Sequence, residues 1–271
     1  MATPHGFLPD FRCALITGAS SGLGLEFARQ LAPRVETLVL VARREEVLDE
    51  IARELVEAHP HLRVKVLATD LIEDSGRNHL INALSQQDLF PDCLINNAGM
   101  GDYGEFRTSD WEKTEAMIRL NMEALTHLAH ALLPGLIARR GAILNVSSLA
   151  SILPIPDFAV YAATKAYVTS FSEALRLELR DQGVRVLATC PGPVKTNFGD
   201  AARRESTGKL PTKEGFYVSA NQVVRDSLKA LLNDKPRLYP GFKVAAAATL
   251  IGLLPLAAIR LLMGSRPRRS D

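Results

Sequence analysis

The chain has 271 residues, 47% of them hydrophobic and 23% charged, with a formal net charge of +2. That length and apolar content suffice for one substantial core, and the balanced charge gives no reason to expect a nucleic-acid partner. The cysteines Cys13, Cys93 and Cys190 are far apart and lie mostly in apolar runs. They predict reduced, buried thiols of a cytoplasmic protein, not a disulfide framework or a metal site. The opening MATPHGFLPD has no apolar segment of the kind a secretory signal requires.

Two periods alternate along the chain. Short aliphatic runs at Cys13–Thr17, Thr37–Val41, Arg63–Leu67, Cys93–Asn96, Ala142–Val146 and Val184–Thr189 read as strands covered on both faces. Helical spacing occupies Gly22–Leu31, Glu45–Ala58, Trp111–Ala138 and Ala159–Gln182. The alternation predicts an α/β fold, a doubly wound parallel sheet with helices on both faces, as a single domain over residues 1–240. Asn197–Glu214 is polar and without period, which predicts a lid or a long surface loop. Residues 241–271 form an apolar extension with a basic tail. Val244–Met263, about twenty residues, is long enough to cross a bilayer, but Gly252, Pro255 and Arg260 argue against spanning. The extension is expected either to pack on the domain or a partner subunit, or to lie on an anionic membrane surface.

The chemistry begins where the first strand ends, in TGASSGLG from Thr17 to Gly24. Gly18, Gly22 and Gly24 let the backbone turn sharply and approach a pyrophosphate, whose charge the following helix N-terminus would meet. Taken alone, this loop is read equally well as a tight strand–helix turn. The second strand ends in LVLVARREE, so Ala42 stands where an NAD-binding fold carries an acid for the ribose 2′-hydroxyl. Arg43 then becomes the candidate ligand of a 2′-phosphate, with Ser20 and Ser21 as hydroxyl donors. Arg44 is read as a solvated charge opening the next helix.

Further along come Asp70 in LATDLIED, INNAG through Gly99, VSS through Ser148, and YAATK, in which Tyr161 and Lys165 share one helix face. With T-G-x-x-x-G-x-G, N-N-A-G, Y-x-x-x-K and P-G in this order, the sequence resembles the short-chain dehydrogenase/reductase superfamily over roughly residues 11–240. The resemblance implies a Rossmann-like sheet, NADP(H) as cofactor, and hydride transfer between a carbonyl and an alcohol. It implies a catalytic set of Asn121, Ser148, Tyr161 and Lys165, with Ser147 disfavoured by spacing. It further implies cofactor contacts from Gly18, Ser20, Ser21, Gly22, Leu23, Gly24, Arg43, Asp70, Leu71, Asn97, Ala98 and Gly99. Tyr161, Lys165, Pro191, Gly192, Val194 and Thr196 complete that surface. In the family the asparagine interrupts a helix and holds a water that links the lysine to solvent, and the long helices commonly form subunit contacts. A homodimer or homotetramer is therefore expected.

Elementary chemistry bears on these roles. A free tyrosine has a pKa of about 10, so nearby positive charge, from Lys165 and the oxidised nicotinamide, is expected to favour the phenolate. Ser148 would hydrogen-bond the substrate oxygen as charge develops there. The histidines form no metal-like cluster. Met100, Tyr103, Trp111, Leu149, Leu153 and Phe198 follow the motifs and are candidates for an apolar substrate pocket or for plain core packing. The leading reading is an active carbonyl reductase or alcohol dehydrogenase on a small-molecule carbonyl or alcohol, whose identity, lipophilic or not, the sequence leaves open. The alternatives are a non-catalytic NADP(H)-binding regulator of the same fold, and isomerisation or dehydration on that fold.

Overall fold

The computed structural model describes residues 11–204 and 214–264. Seven strands form one parallel sheet: β1 (Phe11–Thr17), β2 (Val35–Ala42), β3 (Arg63–Ala68), β4 (Cys93–Asn96), β5 (Ala142–Val146), β6 (Arg185–Thr189) and β7 (Arg237–Leu238). They lie in the order β3-β2-β1-β4-β5-β6-β7. The order reverses beside β1, which pairs with both β2 and β4 (Ile16 opposite Leu40 and Ile95). At such a switch point the loops leaving adjacent strands diverge and open a crevice at the carboxyl ends. The predicted doubly wound sheet is present, with β7 as an added two-residue strand.

The helices are α1 (Gly22–Leu31), α2 (Glu45–Ala58), α3 (Asp74–Gln86), α4 (Trp111–Ile118), α5 (Leu125–Arg139), α6 (Ala159–Glu178), α7 (Phe198–Ala202), α8 (Ala220–Leu232), α9 (Phe242–Leu253) and α10 (Leu256–Gly264). Two separate cores cover the sheet, as expected when strands are apolar on both faces. Phe27, Leu31, Leu38, Leu40, Leu48 and Leu228 fill one. Leu15, Val39, Leu94, Leu128, Ile143 and Val186 fill the other. The free thiols of Cys13, Cys93 and Cys190 are buried.

The structure corrects three expectations. The helix predicted over Trp111–Ala138 is interrupted: a π-helical turn, Arg119–Ala124, separates α4 from α5. The Asn197–Glu214 segment begins as the short helix α7, while its residues 205–213 lie outside the described residues, as does the basic tail from residue 265. The apolar run Val244–Met263 is not one helix. Pro255 disfavours helical geometry at the residue before it, Leu254 is extended (φ −80°, ψ 136°), and α9 and α10 are bent by 118°.

The start of β1 is fixed by an acid that no apolar pattern reveals. Asp92 is buried, and its two carboxylate oxygens accept the backbone N–H groups of Arg12 and Cys13, each at 2.9 Å. Asp92→Ala should destabilise the fold by about 2–3 kcal/mol, since it removes two charge-assisted hydrogen bonds and orphans a buried donor. A lower urea midpoint at unchanged slope would register this, and an unchanged midpoint would contradict it.

Candidate active site

The carboxyl ends of the strands converge on a cleft of about 1880 Å³. At one end lies the loop between β1 and α1. Gly18 and Gly22 adopt positive φ (66° and 56°). A Cβ on Gly18 would stand 2.9 Å from the Cα of Ala98, and one on Gly24 would run into the Gly18 carbonyl. The loop therefore packs directly on the Asn97–Ala98 backbone, and Asn97 secures it by donating from Nδ2 to Thr17 O at 2.9 Å. The α1 N-terminus receives no side-chain cap at Ser21 and has no acid in its first turn. Its leading N–H groups are thus left to an anion entering the cleft.

At the same end Arg43 is exposed and stands 3.8 Å from Asp70, whose Oδ1 accepts from Ile72 N at 3.0 Å. Arg44 does more than the sequence reading allowed. Its Nη2 donates to the Ser20 hydroxyl at 3.0 Å and thereby joins the opening of α2 to the glycine loop. Both arginines line the cleft, and no side chain at position 42 opposes an anion there.

The far end is built on β5, α6 and the loop after β6. Tyr161 and Lys165 sit on the buried face of α6. Lys165 donates from Nζ to Val146 O at 2.9 Å, and the same Nζ lies 5.8 Å from the centre of the Tyr161 ring. Ser147 and Ser148 separate cleanly. Ser147 is buried and bonded to Lys165 O (2.8 Å) and Thr169 (2.7 Å), so its hydroxyl serves the scaffold. Ser148 lines the cleft, accepts from Ala150 N, and hydrogen-bonds towards the Tyr161 phenol. Pro191 O accepts from Leu149 N at 2.8 Å and ties the β6 loop to this turn. Thr196 reaches the glycine loop, with its Cγ2 3.5 Å from where a Gly22 Cβ would stand.

Asn121 occupies the π-helical turn and is buried behind the wall of the cleft. Its Oδ1 accepts from Met100 N (3.0 Å), and its Nδ2 donates to Met100 O (2.9 Å) and to Thr164 Oγ1 (3.0 Å). Gly24 is likewise buried beneath the loop. The other catalytic and cofactor-contact residues implied by the sequence, from Gly18 through Leu71 and Asn97 to Thr196, line the cleft itself.

Burial sets the protonation states of the two central groups. Burial pushes the Tyr161 phenol up to about 12, and the Ser148 hydrogen bond offsets only part of that. Burial likewise pulls Lys165 down to about 8. The protein's own groups thus hold the phenol neutral, because desolvation outweighs the Ser148 hydrogen bond.

The apolar wall contains Met100, Tyr103, Leu149, Leu153 and Phe198, as the sequence allowed, together with Ile155 and Phe158, which it did not single out. Aromatic rings run from Tyr103 through Phe158 and Tyr161 to Phe198, at centroid distances of 4.9, 5.3 and 5.7 Å. Trp111 is elsewhere: it is 65% exposed at the start of α4. Asp102 also escaped the sequence reading. It is buried against Arg204 and against Lys113 Nζ at 3.0 Å. Burial raises its pKa, but these hydrogen bonds outweigh that and hold the carboxyl below the usual carboxylate range. The pair fastens the loop after β4 to the segment after α7.

Residues 12–207 match the family model for short chain dehydrogenase. The chain is 32% identical to a very-long-chain 3-oxoacyl-CoA reductase of Rattus norvegicus over 216 residues, covering 78% of this chain and 68% of the relative. It resembles a solved short-chain dehydrogenase from Sphingobium yanoikuyae in complex with NADPH, with a TM-score of 0.79, 32% identity, and coverage of 96% and 98% of the two chains. It also resembles a bulky-bulky ketone specific alcohol dehydrogenase from Comamonas testosteroni, with a TM-score of 0.76, 28% identity, and 97% coverage of each chain. The Rossmann-like sheet, the cleft at its switch point and these likenesses agree: the chain belongs to the short-chain dehydrogenase/reductase family of oxidoreductases.

Proposed function

We propose that the protein is an NADPH-dependent carbonyl reductase acting on bulky, lipophilic ketones or aldehydes, with the reverse oxidation open to the same residues. The observation that carries this reading is the placement of Tyr161, Lys165 and Ser148 together in a cleft continuous with the glycine loop and its two arginines. A proton donor is needed to make an alcohol from a carbonyl, and a phenol held near 12 is protonated at neutral pH. NADPH supplies hydride from its nicotinamide ring.

The residues present fit that cofactor. The uncapped α1 N-terminus and the close-packed glycines suit the pyrophosphate. Arg43 and Arg44, with Ala42 in place of an acid, suit a 2′-phosphate. In this reading Lys165 holds the nicotinamide ribose, Ser148 hydrogen-bonds the substrate oxygen, and Tyr161 delivers the proton to that oxygen. Asn121 holds Met100 and α6 in place around them. The cleft exceeds the several hundred Å³ of an ordinary small-ligand pocket, so it admits a dinucleotide together with a bulky apolar substrate. The names of the rat and Comamonas relatives, which refer to very-long-chain and bulky ketone substrates, support that choice. A reductase with buried free thiols fits a reducing cytoplasm, and we expect a homodimer or homotetramer.

Two experiments check this assignment. Tyr161→Phe should leave NADPH binding and folding intact while lowering ketone turnover at least about a hundredfold, the usual minimum contribution of a general acid. Turnover near the parent rate would place the proton donor elsewhere. For the parent, kcat/KM for NADPH reports ionisations of the free protein. It should be level below about pH 8 and fall above it as Lys165 loses its charge. A profile that stays level well beyond that point would contradict the role given to Lys165.

Cofactor choice is tested separately. Arg43→Ala and Arg44→Ala should each weaken NADPH by about 1.5–3 kcal/mol, roughly ten- to a hundredfold in Kd, with little effect on NADH. Equal affinity of the parent for both cofactors would overturn the phosphate assignment.

A further inference from the structure

The helix pair α9–α10 presents the reverse of a soluble surface. On α9 the exposed positions Phe242, Ala246, Thr249, Leu250 and Leu253 follow one another at helical spacing, whereas Val244 and Ala248 face the domain. Phe242 is 88% exposed, Leu250 66% and Leu253 76%. Thr249 donates its hydroxyl to Ala245 O at 3.0 Å, so its polar group is satisfied within the helix. Leu254 and Leu256 continue the stripe round the bend, and Leu261 (79%) and Leu262 carry it along α10, which Ile259 anchors. Soluble helices turn such residues inward, and a contiguous apolar patch marks a binding surface.

Charge decides what covers it. From Lys235 to Ser270 the sequence carries Lys235, Arg237, Lys243, Arg260, Arg266, Arg268 and Arg269, and no Asp or Glu. Lys243 and Arg260 are exposed on the two helices themselves. A second copy seated on the same stripe about a two-fold axis would set these cations against each other. An anionic lipid surface would meet them, with the leucines entering the acyl boundary. Among the described residues no single helix is long and apolar enough to cross a membrane, and the 118° bend keeps the pair from acting as one straight span. The geometry suits lying in the surface.

The same element walls the cleft. A Cβ on Gly192 would stand 2.8 Å from Val244 Cγ2. Val244 packs in one cluster with Leu149, Val194 and Phe216, and these three also line the cleft. We propose that α9–α10 is an in-plane membrane anchor that seats the cleft at an anionic lipid surface and admits lipophilic substrate from the acyl layer. The docking part stands by itself, while the substrate part rests on the carbonyl-reductase reading.

The test is flotation of the full-length protein with phosphatidylglycerol-containing vesicles and with vesicles of phosphatidylcholine alone. The parent should float with the anionic vesicles only. The double variant Leu250→Glu/Leu261→Glu should lose at least about tenfold in partitioning while binding NADPH as the parent does. With a long-chain ketone dissolved in anionic vesicles, the variant should show a raised KM, while a water-soluble ketone is reduced at the parent rate. Parent protein that ignores both vesicle types would overturn the anchor. So would a variant that merely splits an oligomer while the parent shows no vesicle binding, since the stripe would then be a subunit interface. Flotation as expected with every ketone left unreduced would uphold the anchor and overturn the reductase reading, so the two failures are separable.

Discussion

One buried amide holds the active cleft together. Asn121 bonds both main-chain groups of Met100 and the hydroxyl of Thr164, and Thr164 Oγ1 in turn donates to the Tyr161 carbonyl at 2.8 Å. The loop leaving β4 and the helix carrying Tyr161 and Lys165 are therefore joined through a single side chain. The cost of that arrangement is visible in the helix, which widens to a π turn at Arg119–Ala124 to aim the amide inward. Losing the amide would leave both main-chain groups of the half-buried Met100 without this partner. Gly99 is small for the same reason, since a Cβ there would stand 3.1 Å from Asn121 Oδ1 and 3.4 Å from Lys165 Nζ.

Around this joint the cleft divides its electrostatics by depth. Its outer end is cationic and wet, with Arg43 and Arg44 over the glycine loop. Its inner end is dry, and desolvation sets the proton positions there: a neutral phenol and a lysine close to losing its charge. Such opposed shifts are what separate a proton donor from a charged holder in one small site. The apolar rings from Tyr103 to Phe198 line that end.

Much of this was legible in the sequence, for identifiable reasons. The first six strands stand out because a parallel strand buried on both faces is a short apolar run between polar helices. Gly18, Ser148, Tyr161 and Lys165 stand out because their chemistry needs fixed residue types at fixed spacing, and the fold brings all of them to one cleft. Other features left weaker signals. Helix α3 buries Arg77 among Leu80, Ala83 and Leu84, so its apolar face looks polar in sequence. The π turn shifts helical phase by one residue without breaking the pattern, and Asn121 in mid-helix was its only trace. Arg44 looked like a solvated helix start because the approach of Ser20 depends on loop geometry. Phe158, Ile155 and Asp102 carry no motif, and their places follow from how the β4 and β5 loops fold over each other.

In the proposed reductase, the Asn121 joint aligns the groups that reduce the carbonyl. A single-turnover reaction of excess protein with NADPH and a bulky ketone, followed for cofactor oxidation and alcohol together, tests this role most directly. The parent should form alcohol equimolar with the NADPH consumed. Asn121→Ser should still bind NADPH yet react about a hundredfold more slowly, the scale expected when reacting groups lose their alignment. Tight NADPH binding with no alcohol from the parent, or parent-like rates in Asn121→Ser, would contradict the claim.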